Sequence, residues 1–193
     1  GNENAQGEYY LTDLPVMAAK DNLAFDVFTV PIDHIWGVND KLQLSEHERI
    51  FRQILRDAHI MNGVQMVDPE TVYFHHDTIV APGAIIEPSV FFGPNVRIEK
   101  NVHVKAFSHI EGAHIKTGSV IGPFTRLRPG SEIGENVKIG NFVEIKKSEI
   151  GSGSKISHLA YVGDCEMGSD VNFSCGAITV NYDGFDKYKT IIG

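Results

Sequence analysis

Residues 109–145 read HIEGAHIKTGSVIGPFTRLRPGSEIGENVKIGNFVEI. In this stretch Ile110, Ile115, Ile121, Leu127, Ile133, Ile139 and Ile145 recur at steps of six, with a single step of five. The pattern continues in both directions. Upstream lie Val80, Ile86, Phe92, Ile98 and Val104; downstream lie Ile150, Ile156, Val162, Met167, Phe173 and Thr179. The series has 17 steps, 14 of six and three of five. Glycine follows the apolar anchor at Gly93, Gly122, Gly134, Gly140, Gly151, Gly163 and Gly168, and a second small or apolar residue sits four places past many anchors, as at Val90, Val96, Val102, Val137 and Val143. This is the hexapeptide signature of a parallel β-helix. Each hexapeptide supplies a short strand and a corner, and three make a triangular coil. The anchors point inward and stack at the strand spacing of ~4.8 Å. One coil cannot bury its inner face alone, so neighbouring coils must stack.

The period gives neighbours directly. Label the faces A, B and C, with anchors Leu127, Ile133 and Ile139 in one coil, Ile145, Ile150 and Ile156 in the next, and Val162, Met167 and Phe173 in the third. Residues at equal offsets then form columns. One past the A anchors gives Glu111, Arg128, Lys146; two past the C anchors gives Asn141, His158, Cys175; five past the C anchors gives Arg126, Glu144, Tyr161. Two cations stacked ~5 Å apart repel unless an anion lies between them. Arg128 over Lys146 therefore reads as a phosphate site, Arg offering a planar fork and Lys a point charge. The alternatives are that both are solvated or that Glu111 satisfies Arg128. His158 stands near the same corner as a candidate proton acceptor. Glu144 has Arg126 above it as a ready partner. His109 and His114, five apart, resemble two zinc ligands of γ-class carbonic anhydrases. A third histidine is needed about one long stretch earlier, where position 73 is Tyr and His75 and His76 are offset.

Outside the repeat the pattern changes. Ser45-Glu46-His47-Glu48 fits an S-x-x-E capping box, and Ile50, Phe51, Ile54, Leu55 and Ala58 follow at helical spacing before Asn62-Gly63. The spacing predicts a helix over about 46–61, within a connecting segment 45–63. Residues 1–44 are too few for a core of their own and read as the tail of something larger. Ile192-Gly193 opens another hexapeptide, so both ends read as cut and the chain as an internal fragment.

The whole chain has 193 residues, 42% apolar and 22% charged, with a net charge of −8. It is ordinary globular composition. An acidic chain with no basic run argues against nucleic acid or anionic membrane as partner. No stretch reaches the ~18 apolar residues of a membrane span. Two cysteines, Cys165 and Cys175, make no disulfide framework, and a cytoplasmic location is expected.

The segments NAQGEYYLTD (4–13), RLRPG (126–130), GNFVEIKK (140–147), SHLAYVGD (157–164) and NYDGFDKYKTIIG (181–193) closely resemble the bifunctional N-acetylglucosamine-1-phosphate uridylyltransferase and glucosamine-1-phosphate acetyltransferases. The resemblance covers nearly the whole chain. It implies a mainly β fold, a left-handed parallel β-helix at 64–193, preceded by the helix and a short α/β remnant of the uridylyltransferase domain at 1–44. It implies a homotrimer that moves acetyl from acetyl-CoA to the amine of glucosamine 1-phosphate, giving a precursor of UDP-N-acetylglucosamine. His158 matches the general base. Arg128, Lys146, Tyr161 and Asn172 match substrate contacts, joined by Lys187. Asn181 and Tyr182 match acetyl-CoA contacts, as does Cys175, where the family usually has Ala. Glu144 is a candidate to hold the amine. Asn39, in WGVND, matches a residue that contacts nucleotide and Mg²⁺ in the uridylyltransferase half. The glycine-rich nucleotide loop of that half does not occur in this sequence. A non-catalytic trimeric scaffold is the competing class, since β-helices also serve as rigid spacers.

Overall fold

The computed structural model describes every residue except 1, 3, 4, 6 and 32–34, so part of the segment 4–13 lies outside the described residues. The chain divides into two units, Gly1–Leu44 and Ser45–Gly193. In the first, Leu11–Asp13 forms a 3-10 turn that runs into helix α1, Leu14–Lys20, with Pro15 in its first turn, where its missing N–H costs nothing.

Helix α2 spans Lys41–Met61 and begins five residues before the expected start. The cap is not at Ser45. Asp40 Oδ1 accepts the Gln43 N–H at 2.8 Å, and Gln43 Oε1 accepts the Asn39 N–H at 2.7 Å. Asp40 thus takes the capping role assigned to Ser45, while Gln43 reaches back one residue past the cap to Asn39. Further along, Leu55 packs against the core of the second unit and the His59 ring lies 4.4 Å from Phe74. These contacts cover the first coil.

From Gln65 onward the strands are parallel and stack as the period requires. Ile121 pairs with Ile139, Ile139 with Ile156, and Ile156 with Phe173. Every anchor from Val80 to Met167 is buried, and Ile86, Ile110, Ile121, Leu127, Ile133, Ile139, Ile145 and Ile156 are fully enclosed. Face B is a seven-stranded sheet. Faces A and C merge into one eleven-stranded sheet because two long strands, Lys138–Lys146 and Lys155–Gly163, run across the corner between them. Small hydroxyls fill the inner corners. Ser148 Oγ donates to the Lys146 carbonyl at 2.9 Å and accepts the Cys165 N–H at 3.1 Å, so its burial leaves no polar group unsatisfied. Glycine is required where coils touch most closely: a Cβ on Gly140 would strike the Ser157 carbonyl.

The three five-residue steps all fall where face A turns into face B. At the last coil the chain departs from the period: Met167 pairs with Ile192, so Val180–Lys189 leave the coil as a loop before Thr190–Ile192 resumes it. The Ile192 anchor takes its expected inward place, partly buried against the core.

Candidate functional site

The two long strands carry most of the expected residues. Lys138–Lys146 holds Asn141, Glu144 and Lys146; Lys155–Gly163 holds His158, Tyr161 and Gly163. Their register pairs Asn141 with His158, Glu144 with Tyr161 and Lys146 with Gly163, matching the columns drawn from the period. Leu159 turns the corner at φ 50°. His158 therefore stands on the face C side, while Tyr161, Glu144 and Lys146 stand on face A.

On face A, Arg128 Nη1 donates to Glu144 Oε1 at 2.8 Å. Two expectations are corrected: Arg128 is met by Glu144 and not Glu111, and Glu144 pairs with Arg128 and not Arg126. Arg128 stands diagonally across from Glu144 in the next coil, a separation that a long side chain spans. All three of Arg128, Glu144 and Lys146 are half-buried. The Tyr161 ring is folded over Gly163, where a Cβ would collide with its hydroxyl. Gly163 lies directly beneath Lys146, so this glycine brings the phenol to the cation column. The sequence marks Gly163 only as one of the repeat glycines.

On face C, His158 is exposed and makes no hydrogen bond, ion pair or ring contact among the described residues. Other surface histidines are engaged: His75 with Asp77 at 2.7 Å, His103 with Glu87 at 2.8 Å and His114 with Glu99 at 2.8 Å. Asn172 pairs with Lys155 one coil above, and the exposed Cys175 follows on the same face. Burial pushes the Cys165 thiol up, so it is the less reactive of the two free cysteines.

Asn181, Tyr182 and Lys187 lie on the loop, away from face C. Tyr182 and Lys187 form an antiparallel bridge, and the Asn181 amide donates to the Asp164 carboxylate, tying the loop to the corner between faces A and B.

The zinc pair is not assembled within the chain. His109 is on face A, its ring 4.7 Å from Phe91, and His114 is on face B between Glu99 and Glu132. Among the described residues no three His, Cys, Asp or Glu side chains converge to hold a metal ion. Asn39 lies at the start of α2 with its backbone N–H on Gln43. No helix among the described residues is long and apolar enough to cross a membrane.

The bacterial transferase hexapeptide (six repeats) family matches residues 112–147. The chain is 49% identical over 193 residues to the bifunctional protein GlmU of Azorhizobium caulinodans and 45% identical over 192 residues to that of Bartonella quintana. In both alignments the whole chain is covered, and it spans 43% of the relative's length. Among solved structures, a perosamine N-acetyltransferase from Caulobacter crescentus, in complex with CoA and GDP-perosamine, is 21% identical. It covers 69% of this chain and 60% of its own, with a TM-score of 0.41, too slight a likeness to carry an argument.

Proposed function

Starting from a chain related along its whole length to the bifunctional GlmU proteins, we propose that it carries the acetyltransferase site of such a protein. The reaction is acetyl transfer from acetyl-CoA to the amine of glucosamine 1-phosphate, giving N-acetylglucosamine 1-phosphate for UDP-N-acetylglucosamine synthesis. The observation that carries this reading is the unengaged imidazole of His158 on the strand that also presents Tyr161, beside the strand that presents Glu144 and Lys146. In the reaction the amine attacks the thioester carbonyl, the C–S bond breaks, and CoA leaves as thiolate. His158 takes the amine proton. A positioned base of this kind contributes ~10²–10⁴ in rate.

Arg128 and Lys146 hold the sugar phosphate. Arg128 has five donors and spends one on Glu144, which leaves the others for an anion. Tyr161, Asn172 and Lys187 complete the sugar-phosphate contacts; Asn181, Tyr182 and Cys175 contact acetyl-CoA. These groups point away from different faces of one prism. A homotrimer, with face C of one copy toward face A of the next, lets His158 and the Arg128–Lys146 column address one substrate. Cyclic closure is the usual form of such homo-oligomers. A cytoplasmic location suits the two free thiols. Uridylyl transfer with Mg²⁺ belongs to the remainder of such a protein, and no step of it is derived for this chain.

The test uses the full-length protein. His158→Ala is expected to lower kcat for acetyl transfer by ~10²–10⁴ and to leave uridylyl transfer intact. Arg128→Ala is expected to act mainly on KM for glucosamine 1-phosphate, about tenfold or more, because it removes a charge-assisted contact. If His158→Ala keeps most of its kcat at saturating substrate, the base assignment is wrong. If Lys146→Ala binds glucosamine 1-phosphate as the wild type does, the scaffold reading gains.

A further inference from the structure

Helix α2 meets the first coil through one stripe of side chains, Arg52, Leu55, Arg56 and His59, at the i, i+3, i+4, i+7 spacing of a single helix face. Arg52 lies over the Tyr73 ring, 5.2 Å from its centre. Leu55 packs against the core. Arg56 is buried; it donates to the Glu70 carbonyl at 3.3 Å and to Gln53 Oε1 at 2.7 Å, and its Nε finds no partner. The half-buried His59 ring continues an aromatic stack. Phe92 and Phe74 lie 5.0 Å apart and nearly parallel, and the imidazole lies 4.4 Å from Phe74.

The stripe has no place for a further charge. Among the described residues no carboxylate lies at ion-pair distance from Arg56 or His59. The acidic groups nearby are engaged elsewhere: Glu48 with Arg52 at 3.5 Å, Asp57 with the Gln53 amide at 2.7 Å, and Asp77 with His75 at 2.7 Å and with the Asn95 N–H. Glu70 offers its carbonyl. On the coil, His75 and His76 follow Phe74, their rings 4.3 Å apart. A proton on His59 would put a second cation one turn from Arg56 with nothing to balance either. Burial holds the His59 imidazole below the ordinary histidine range, so the attraction of a protonated ring to the face of Phe74 is the weaker effect. Behind the stripe the chain has a hinge. The helix ends at Met61, and Gly63 stands at φ 88°. The Gly63 carbonyl accepts the Gly83 N–H at 2.9 Å, and the Gln65 N–H donates to the Ala84 carbonyl at 2.9 Å. Coil pairing thus holds the chain from Gly63 onward without help from the helix.

We infer that α2 is an acid-released cap of the β-helix: protonation of His59 undocks the stripe, the helix swings about Met61–Gly63, and the first coil is uncovered at Phe74. The switch stands apart from the proposed acetyl transfer and uses none of its residues. Its sign follows from linkage. The neutral ring is the docked form, so docking is complete above ~6.5, the ordinary histidine value, and weakens as pH falls from there toward the lower value of the docked ring.

The experiment follows hydrogen exchange of the whole chain by mass spectrometry at about pH 7.5 and about pH 5, each corrected for the intrinsic exchange rate. Peptides from 48–60 are expected to lose protection several-fold at the lower pH, while peptides from 110–167 keep theirs. His59→Phe keeps a ring on Phe74 and cannot take a proton, and its helix stays protected at both pH values. His59→Lys carries the charge at both, and its helix exchanges at neutral pH as the wild type does in acid. Unchanged protection over 110–167 shows that this variant is folded. Equal protection of the wild-type helix at the two pH values overturns the switch. So does a pH dependence that persists undiminished in His59→Phe, which would assign it to His47 or to the His75–Asp77 pair.

Discussion

Two glycines on the same long strands illustrate how one residue type serves opposite ends. A Cβ on Gly140 meets the backbone carbonyl of Ser157, which cannot move without breaking the coil pairing. A Cβ on Gly163 meets the far end of the Tyr161 side chain, which can swing away. Gly140→Ala is therefore expected to destabilise the fold by ~2 kcal/mol or more, in the range of core overpacking. Gly163→Ala should shift stability by less than ~1 kcal/mol while displacing the phenol from its place beneath Lys146. For the proposed reaction, its expected mark is a several-fold rise in KM for glucosamine 1-phosphate, with melting temperature nearly unchanged. Thermal melts and steady-state kinetics of the two variants check both signs. Equal loss of stability in the two would mean that the Tyr161 ring is not free to yield.

At the scale of elements, the loop Val180–Lys189 is held by few bonds, and one side chain organises them. The Asp183 carboxylate accepts the N–H groups of Phe185 and Asp186, each at 2.8 Å. The Asp186 and Phe185 N–H groups, and a hydrogen bond from the Tyr188 side chain, hold the Asp183 carboxyl below the usual carboxylate range. A depressed pKa means that the ionised form stabilises the folded loop. That contribution is present above the ordinary value of ~3.9 and is lost as pH falls through the lower folded value. Asp183→Ala removes it at neutral pH. The expected outcome is faster proteolytic cutting within 181–188 and weaker acetyl-CoA binding, with the melting of the β-helix unchanged. Limited proteolysis with mass mapping reads this; an unaltered cutting rate would show that the Asn181–Asp164 bond holds the loop by itself.

For the whole molecule, the informative surface is the corner between faces C and A. Phe107, Phe124, Phe142 and Leu159 occupy it at φ between 50° and 59°. The Phe107–Phe124 and Phe124–Phe142 rings stack at 4.9 and 5.4 Å, and all four side chains are about half-exposed. Other corners use Asn95, Asn101, Asn136 and Asp170 at the same φ, residues that tolerate it with less strain. An apolar ladder in unfavourable backbone is expected where another surface covers it. Under the proposed three-fold arrangement this corner lies between neighbouring copies. Sedimentation at micromolar concentration should give a trimer, and Phe124→Asn should shift it toward monomer. A wild-type chain that sediments as a monomer would sink that arrangement for this chain.

The sequence by itself determined the coil. A six-residue period specifies which residues point inward, which stack, and hence that Asn141 meets His158 and Glu144 meets Tyr161, because strand pairing in a β-helix is only arithmetic once the repeat length is known. It also marked Ile192-Gly193 as the opening of another hexapeptide, and Ile192 takes an anchor's place beside Met167. The helix start escaped it, since Ser45 and Asp40 both carry capping chemistry and only the packed helix shows which one ends it. Side-chain partnership escaped it too. Arg128 had carboxylates at Glu111 and Glu144 within plausible reach, and rotamers in a half-buried surface decided for Glu144. The seat of His59 was illegible for a further reason. The helical period and the six-residue period carry no register between them, and only the packed helix end brings His59 onto Phe74.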